Sequence, residues 1–353
     1  MSTQQRNQMR WKLIRTYGPD WILCIGLVAL FGALDNISGF KREFSLEDTS
    51  LRHPHTLHER VPNWALYIIC SLTPAVLEAA VNYLTVRSWW DLHNSLLGLL
   101  LGLSLTGAIT QVVKLTVGRP RPDIIARCIP FPGAVDPPLG LSNYTICTRG
   151  PGHILDDGWR SFPSGHSSLS FAGLGFLSFY LAGKLHLFDK RGQAHKSWIA
   201  LTPLAGATLV AVSRTMDYRH HWQDVTAGSI LGLVMSYFAY RQYYPSLASP
   251  YSHRPYFPRH KPSPQDSMSL PLHRDPQVVG HDPEQHYPNG GYRDSLLRDH
   301  HEQDGPVNME DVPAGTYPKD EVHDMETVWR DSEGESEELD GNHRPVNAHH
   351  NTR

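Results

Sequence analysis

Apolar residues crowd into roughly the first 245 positions of this chain, in blocks of about membrane-spanning length, and almost vanish from the rest. Six blocks can be drawn: Pro19 to Leu34, Trp64 to Val86, Leu92 to Val113, His166 to Leu187, Trp198 to Val212 and Val225 to Tyr240. The first is short for a span unless Tyr17 and Ile37 extend it. A mean hydropathy of -0.36 suggests a water-soluble protein, but it averages a lipid-soluble part with a strongly polar one. A soluble helical bundle would have to hide six such blocks in one core, more than a core of that size requires. The expected fold is therefore all-α, a six-span transmembrane helical bundle. Glu78 is the only acidic residue inside the second block, and a charge is costly in lipid, so it should face other helices or lie near a boundary. Gly and Ala within Leu97 to Ala108 and Ala172 to Gly183 allow close helix approach.

Three divisions follow: a cytoplasmic amino-terminal segment over 1–18, a six-span domain over 19–244 and a polar tail over 245–353. The tail is rich in Pro, His, Asp, Glu, Ser and Gly and has too few bulky apolar residues to offset the entropy of ordering, so it is expected to be disordered. Its acidic run, Asp331 to Glu338, contains Ser332 and Ser336 as candidate phosphorylation sites, although a solvated charge run needs no function. Arg6, Arg10, Lys12 and Arg15 precede the first block without a clear small-residue cleavage site, so that block is expected to serve as a retained signal. These basic residues, with Lys184, Lys190, Arg191 and Lys196 around the loop between blocks four and five, favour cytoplasmic termini. The loops after blocks one, three and five then face a lumen or the exterior. Asn143-Tyr144-Thr145 in the second of these is an acceptor triplet for N-glycosylation, and Cys128 and Cys147 in the same loop could form a disulfide there.

Three polar segments sit beside the apolar blocks. Lys114 and then Gly118-Arg119-Pro120-Arg121-Pro122 close the third block; lysine offers a point charge and arginine a planar fork for two phosphate oxygens. Basic residues at span ends also snorkel to headgroups, which is the ordinary reading of Lys114 or Arg119 taken alone. Pro163-Ser164-Gly165-His166 opens the fourth block: Ser164 suits a helix cap, Gly165 lets an anion approach the free N–H groups, and His166 could hand on a proton. Simple capping explains the serine equally well. Ser213 to Asp224 joins blocks five and six, with Arg214 suited to developing phosphoryl charge. His220 and Asp224 lie four apart, so in a helix the carboxylate could orient the imidazole, while His221 is three from Asp224 and a rival. Asp217 and Arg219 suit ionic contacts that organise the loop. No cysteine cluster of zinc type, dinucleotide loop or basic nucleic-acid face is present.

Together the three segments resemble the type 2 phosphatidic acid phosphatase superfamily, the lipid phosphate phosphatases, over about Trp21 to Tyr243. The resemblance implies that Lys114, Arg121, Arg214, Ser164 and the Gly165 backbone grip phosphate, that His220 oriented by Asp224 forms a phosphohistidine, and that His166 protonates the leaving group. It implies no metal and no cofactor. The wording around Arg119 to Pro122 and Asp217 to Trp222 is most similar to fungal diacylglycerol pyrophosphate phosphatases. Expected substrates are membrane lipid phosphates, diacylglycerol pyrophosphate ahead of phosphatidate, at a vacuolar, endoplasmic reticulum or plasma membrane. Polyisoprenyl diphosphate or sphingosine phosphate hydrolysis is the alternative within the family, and a lipid-binding or transporting protein on the same scaffold is the non-enzymatic one.

Overall fold

The computed structural model describes residues 3–150, 152–188 and 194–256. Almost all of the expected disordered tail, including the acidic run, lies outside the described residues. Among the described residues six long helices form: α1 (Thr3–Asp35), α2 (Asn63–Thr85), α3 (Trp89–Val117), α4 (Gly165–Lys184), α5 (Ala194–Met216) and α6 (Trp222–Tyr243). Among the described residues there is no sheet, only isolated bridges such as Phe44 to Ser142. Within α1 (from Leu13), α2, α3 and α5 are stretches long and apolar enough to cross a membrane. The protein is an integral membrane protein. Helices α4 and α6 are less apolar because serines and glycines replace bulky residues where they pack against other helices, although α6 keeps an exposed apolar face of Ile230, Val234 and Phe238. α4 is buried nearly all round, and Ser168 and Ser170 bond back to the helix, Ser170 Oγ donating to Ser167 O at 3.1 Å.

The main core lies between α1, α3, α4 and α6, where Leu97, Phe176, Tyr180 and Tyr240 are fully buried. Glu78 is fully buried and faces the helices, not lipid. Near it, Asp91 takes hydrogen bonds from Lys184 Nζ at 2.6 Å, Asn82 Nδ2 at 2.7 Å and the Tyr180 and Tyr244 hydroxyls at 3.0 Å each. The packed chain continues beyond the expected boundary at 244. Ser252 is buried, His253 O accepts from Lys184 Nζ at 2.7 Å, and Tyr256 N donates to Tyr243 O at 2.8 Å.

Helix α2 contains a π turn, Ile68–Leu72, just before Pro74. Proline has no N–H, so the carbonyl of Cys70 cannot receive the usual bond from four residues on. That carbonyl instead lies against α4, so close that a Cβ on Gly173 would fall 1.8 Å from it. Gly173→Ala is therefore expected to push α2 and α4 apart and cost about 1–3 kcal/mol, read as a lower melting temperature in detergent. A variant that melts with the parent would show that the two helices can separate freely.

At the end of the bundle where α1, α3 and α5 finish, segments 36–62 and 118–164 form a small second core around Phe44, Leu51, Ile124, Leu155 and Trp159. A disulfide joins Cys128 to Cys147 at its edge. Arg160 ties this layer to the end of α1, donating to the carbonyls of Leu34 at 3.0 Å, Asp35 at 2.9 Å and Ile37 at 3.1 Å.

Candidate active site

The three polar segments converge at this end of the bundle. Lys114 occupies the last turn of α3, which stops at Gly118 in the left-handed region, φ 57°. Only a residue without Cβ fits there, because a Cβ would fall 2.1 Å from Phe40 O. The chain then turns so that Arg121 enters the interior. Its Nη2 donates to Asp157 Oδ1 at 2.6 Å, and burial lowers its pKa to about 10. Burial opposes ionisation of Asp157, but the Arg121 and Arg127 guanidinia outweigh it and hold that carboxyl well below the usual range.

Ser164 is the N-cap of α4, with its Oγ accepting from Ser167 N at 3.4 Å. Gly165 is the first helical residue. A Cβ there would lie 3.1 Å from Lys114 Nζ, so glycine leaves room for the ammonium above the positive end of α4. His166 follows, its Nε2 2.9 Å from Val61 O.

Arg214 ends α5 almost wholly buried. Its Nη1 donates to Glu59 Oε2 at 2.7 Å and its Nη2 to Asp217 Oδ2 at 3.0 Å. Asp217 also pairs with Arg60, and Arg219 with Glu59 at 3.0 Å, so both organise the loop through ionic contacts.

Helix α6 begins at Trp222, with His221 as its N-cap. His220 therefore lies outside the helix, and the four-residue spacing to Asp224 does not bring the two side chains together as expected. His220 Nδ1 is instead 2.6 Å from Ser161 O. A carbonyl can only accept, so Nδ1 carries the proton and Nε2 keeps its lone pair. Burial, helped by the nearby charges of Arg121 and Lys114, holds the His220 pKa well below the ordinary imidazole value.

Asp224 acts one residue removed. Its Oδ2 accepts from Ser161 Oγ at 2.5 Å and from His221 N at 3.0 Å, and its Oδ1 from Arg119 Nη1 at 2.6 Å. Its own carbonyl accepts from Ser164 N at 3.0 Å. One buried carboxylate thus fastens the three segments to each other. Arg119 is committed to this contact and is not a free headgroup cation.

Lys114, Arg121, Gly165, His166, Arg214 and His220 line one cavity of about 280 Å³, and Phe31, Leu66 and Leu169 give it an apolar side. Ser164 and Asp224 are fully buried and do not line it, and neither does His221. Asn143 is exposed, and it and the Cys128–Cys147 pair lie outside the cavity lining. Sequence reasoning missed Glu59, Arg127, Asp157 and Ser161. None has a spacing signature, since each reaches the site through the tertiary packing of loops and short helical turns between the long helices. With several cations, one imidazole holding a free lone pair and a second imidazole beside them, the cavity can bind a phosphoryl group and transfer it.

A family model described as PAP2 superfamily matches residues 95–247. The chain is 42% identical over 233 residues to "Lipid phosphate phosphatase 2" of Arabidopsis thaliana, covering 65% of this chain and 78% of that protein. It is 43% identical over 240 residues to "Probable diacylglycerol pyrophosphate phosphatase 1" of Schizosaccharomyces pombe, covering 67% and 84%. To "Diacylglycerol pyrophosphate phosphatase 1" of Saccharomyces cerevisiae it is 38% identical over 249 residues, covering 70% and 84%.

Proposed function

The chain belongs to the PAP2 superfamily, and from that premise we propose that it hydrolyses lipid phosphomonoesters and pyrophosphates, favouring diacylglycerol pyrophosphate and then phosphatidate. The observation that carries the reading is the convergence of Lys114, Arg121, Arg214, His166 and His220 on one cavity with an apolar side. A lipid phosphate has the same division, a charged terminus on an apolar body.

In this mechanism His220 Nε2 attacks the terminal phosphorus while the bond to the leaving oxygen breaks. His166 gives that oxygen its proton, and the phosphoryl group rests on His220. His166 then takes a proton from water as its oxygen attacks phosphorus, the phosphorus–nitrogen bond breaks, and orthophosphate leaves. Lys114, Arg121 and Arg214 hold the phosphoryl oxygens, helped by the Gly165 N–H, where charge develops. Ser164 caps α4 and so keeps that N–H aimed. Asp224 orients His220 through Ser161.

The domain reading we propose is six spans over 19–244 between a short cytoplasmic amino terminus and a cytoplasmic tail, with the residues up to Tyr256 packed onto the bundle before the tail departs. The basic residues flanking α1 and the α4–α5 loop favour a cavity on the lumenal or outer face, where Asn143 would be open to glycosylation. The vacuolar and endoplasmic reticulum membranes, with the plasma membrane as third choice, are the proposed locations.

Purified protein is expected to release phosphate from diacylglycerol pyrophosphate and phosphatidate in mixed micelles with excess chelator. Sphingosine phosphate and a polyisoprenyl diphosphate, assayed side by side, should turn over more slowly. A strong isoprenoid preference would overturn the glycerolipid assignment and keep the chemistry. No release from any of the four by folded protein would instead favour a lipid-binding or transporting role.

A further inference from the structure

The segment between α1 and α2 belongs to none of the three motifs, yet it reaches into the cavity. Glu59 sits there with one carboxylate oxygen on each of two arginines, Oε2 2.7 Å from Arg214 Nη1 and Oε1 3.0 Å from Arg219 Nη2. Bridging two guanidinium forks is how two oxygens of a phosphate would also be held. Arg214 already has a structural counter-charge on its other side in Asp217, which is fully buried and does not line the cavity. Glu59 does line it and is partly exposed. Of the two carboxylates it is therefore the exchangeable one.

The surrounding chain suits such exchange. Residues 52–62 form no helix or strand. They are pinned on either side of Glu59 by contacts that do not involve it, Thr56 Oγ1 donating to Asp217 O at 3.2 Å and Arg60 N to Asp217 Oδ2 at 2.9 Å. Glu59 can then swing away without releasing the segment. Two residues on, Val61 O engages His166 Nε2, so the same segment also touches the proposed proton donor.

We propose that the Glu59 carboxylate stands in for substrate phosphate in the empty site, holding Arg214 and Arg219 ready until a terminal phosphate displaces it. The proposal rests on the reading of Arg214 as a phosphate ligand. A terminal phosphate carries up to two negative charges and outcompetes one carboxylate, whereas a phosphodiester carries one and gains nothing by the exchange. A ligand shifts such an equilibrium only by its differential affinity. Glu59 would thereby select phosphomonoester and pyrophosphate headgroups over the far more abundant diester lipids around the enzyme.

The test uses the full-length protein in detergent, with inorganic phosphate binding measured by calorimetry and turnover of phosphatidate measured in parallel. Glu59→Gln keeps the shape and removes the charge. It should bind phosphate roughly five- to tenfold more tightly, lower KM for phosphatidate while leaving kcat within about twofold, and become competitively inhibited by phosphatidylglycerol. Glu59→Asp, which withdraws the carboxylate by one methylene, should show a smaller shift in the same direction and serves if the glutamine variant does not fold. Unchanged or weaker phosphate binding in the folded variants would overturn the proposal and make Glu59 a fixed anchor. Arg214→Ala separates the two levels. Its binding phosphate like the parent would defeat the site reading itself, while loss of binding there with no gain in Glu59→Gln would defeat only the role of Glu59.

Discussion

Replacing His220 by alanine is expected to lower kcat by about 10⁴-fold or more and to abolish any acid-labile phosphoenzyme. The imidazole carries the bond-forming lone pair on Nε2, opposite the Nδ1 that the Ser161 carbonyl fixes, and burial keeps it uncharged. His221→Ala provides the contrast. That residue is the N-cap of α6 and faces Asp224 with its Nδ1 at 3.3 Å, so its loss should cost about 1 kcal/mol of stability and leave chemistry in place. Trapping with radiolabelled substrate and comparing kcat for the two variants decides between them; a phosphoenzyme in His220→Ala and none in His221→Ala would reverse the assignment. The same pair of assays yields a pH profile. Since the folded pKa of His220 is lowered, the free base persists as pH falls through the ordinary imidazole range near 6.5. Loss of kcat/KM attributable to His220 should therefore set in only below that range. An acid limb near 6.5 that vanishes in no other variant would count against a buried, uncharged His220.

Replacing Asp224 by alanine is expected to damage stability and chemistry together. The carboxylate is fully buried, and its removal leaves the Arg119 cation, the Ser161 hydroxyl and the His221 N–H without their acceptor. Breaking one partner of a buried charge pair costs about 3–5 kcal/mol, so a large fall in melting temperature should accompany the loss of kcat. Ser161→Ala isolates the route to the nucleophile. It loosens the backbone whose carbonyl aims His220, leaving only the Ser161 N bond to Arg119 O to hold it, while Arg119 stays on Asp224, and should lower kcat by roughly tenfold with KM little changed. If Asp224 contacted His220 directly during turnover, Asp224→Asn would be as inactive as Asp224→Ala and Ser161→Ala would retain the parent's kcat. Full stability in Asp224→Ala would show that the three segments are held together by packing alone.

The limits of sequence reading are clearest around these two residues. A spacing of four places side chains on one face only inside a helix. Whether His220 is inside depends on where α6 starts, and that start is fixed by His221 and Asp224 capping each other, a local competition that spacing does not express. Arg119 failed for a related reason. Beside an apolar block it looks like a headgroup anchor, and only the fold brings a buried carboxylate from more than a hundred positions away within 2.6 Å of it. The helices α4 and α6 show the reverse case. Their serines and glycines weaken the membrane signal because they line other helices, and the blocks could still be drawn because enough Leu, Phe and Tyr remain.

The sequence by itself determined the helical membrane architecture and the chemistry on offer. Block length and composition reflect the thickness and polarity of the bilayer, and phosphate-gripping cations and imidazoles are recognisable by type in short segments. Only the tertiary structure decided how those groups are set: which carbonyl orients His220, which carboxylates meet Arg121 and Arg214, and that Glu59, from outside the three motifs, reaches Arg214 and Arg219. Such contacts join positions far apart in the chain through single hydrogen bonds of fixed direction, and these have no period or spacing from which they could be read.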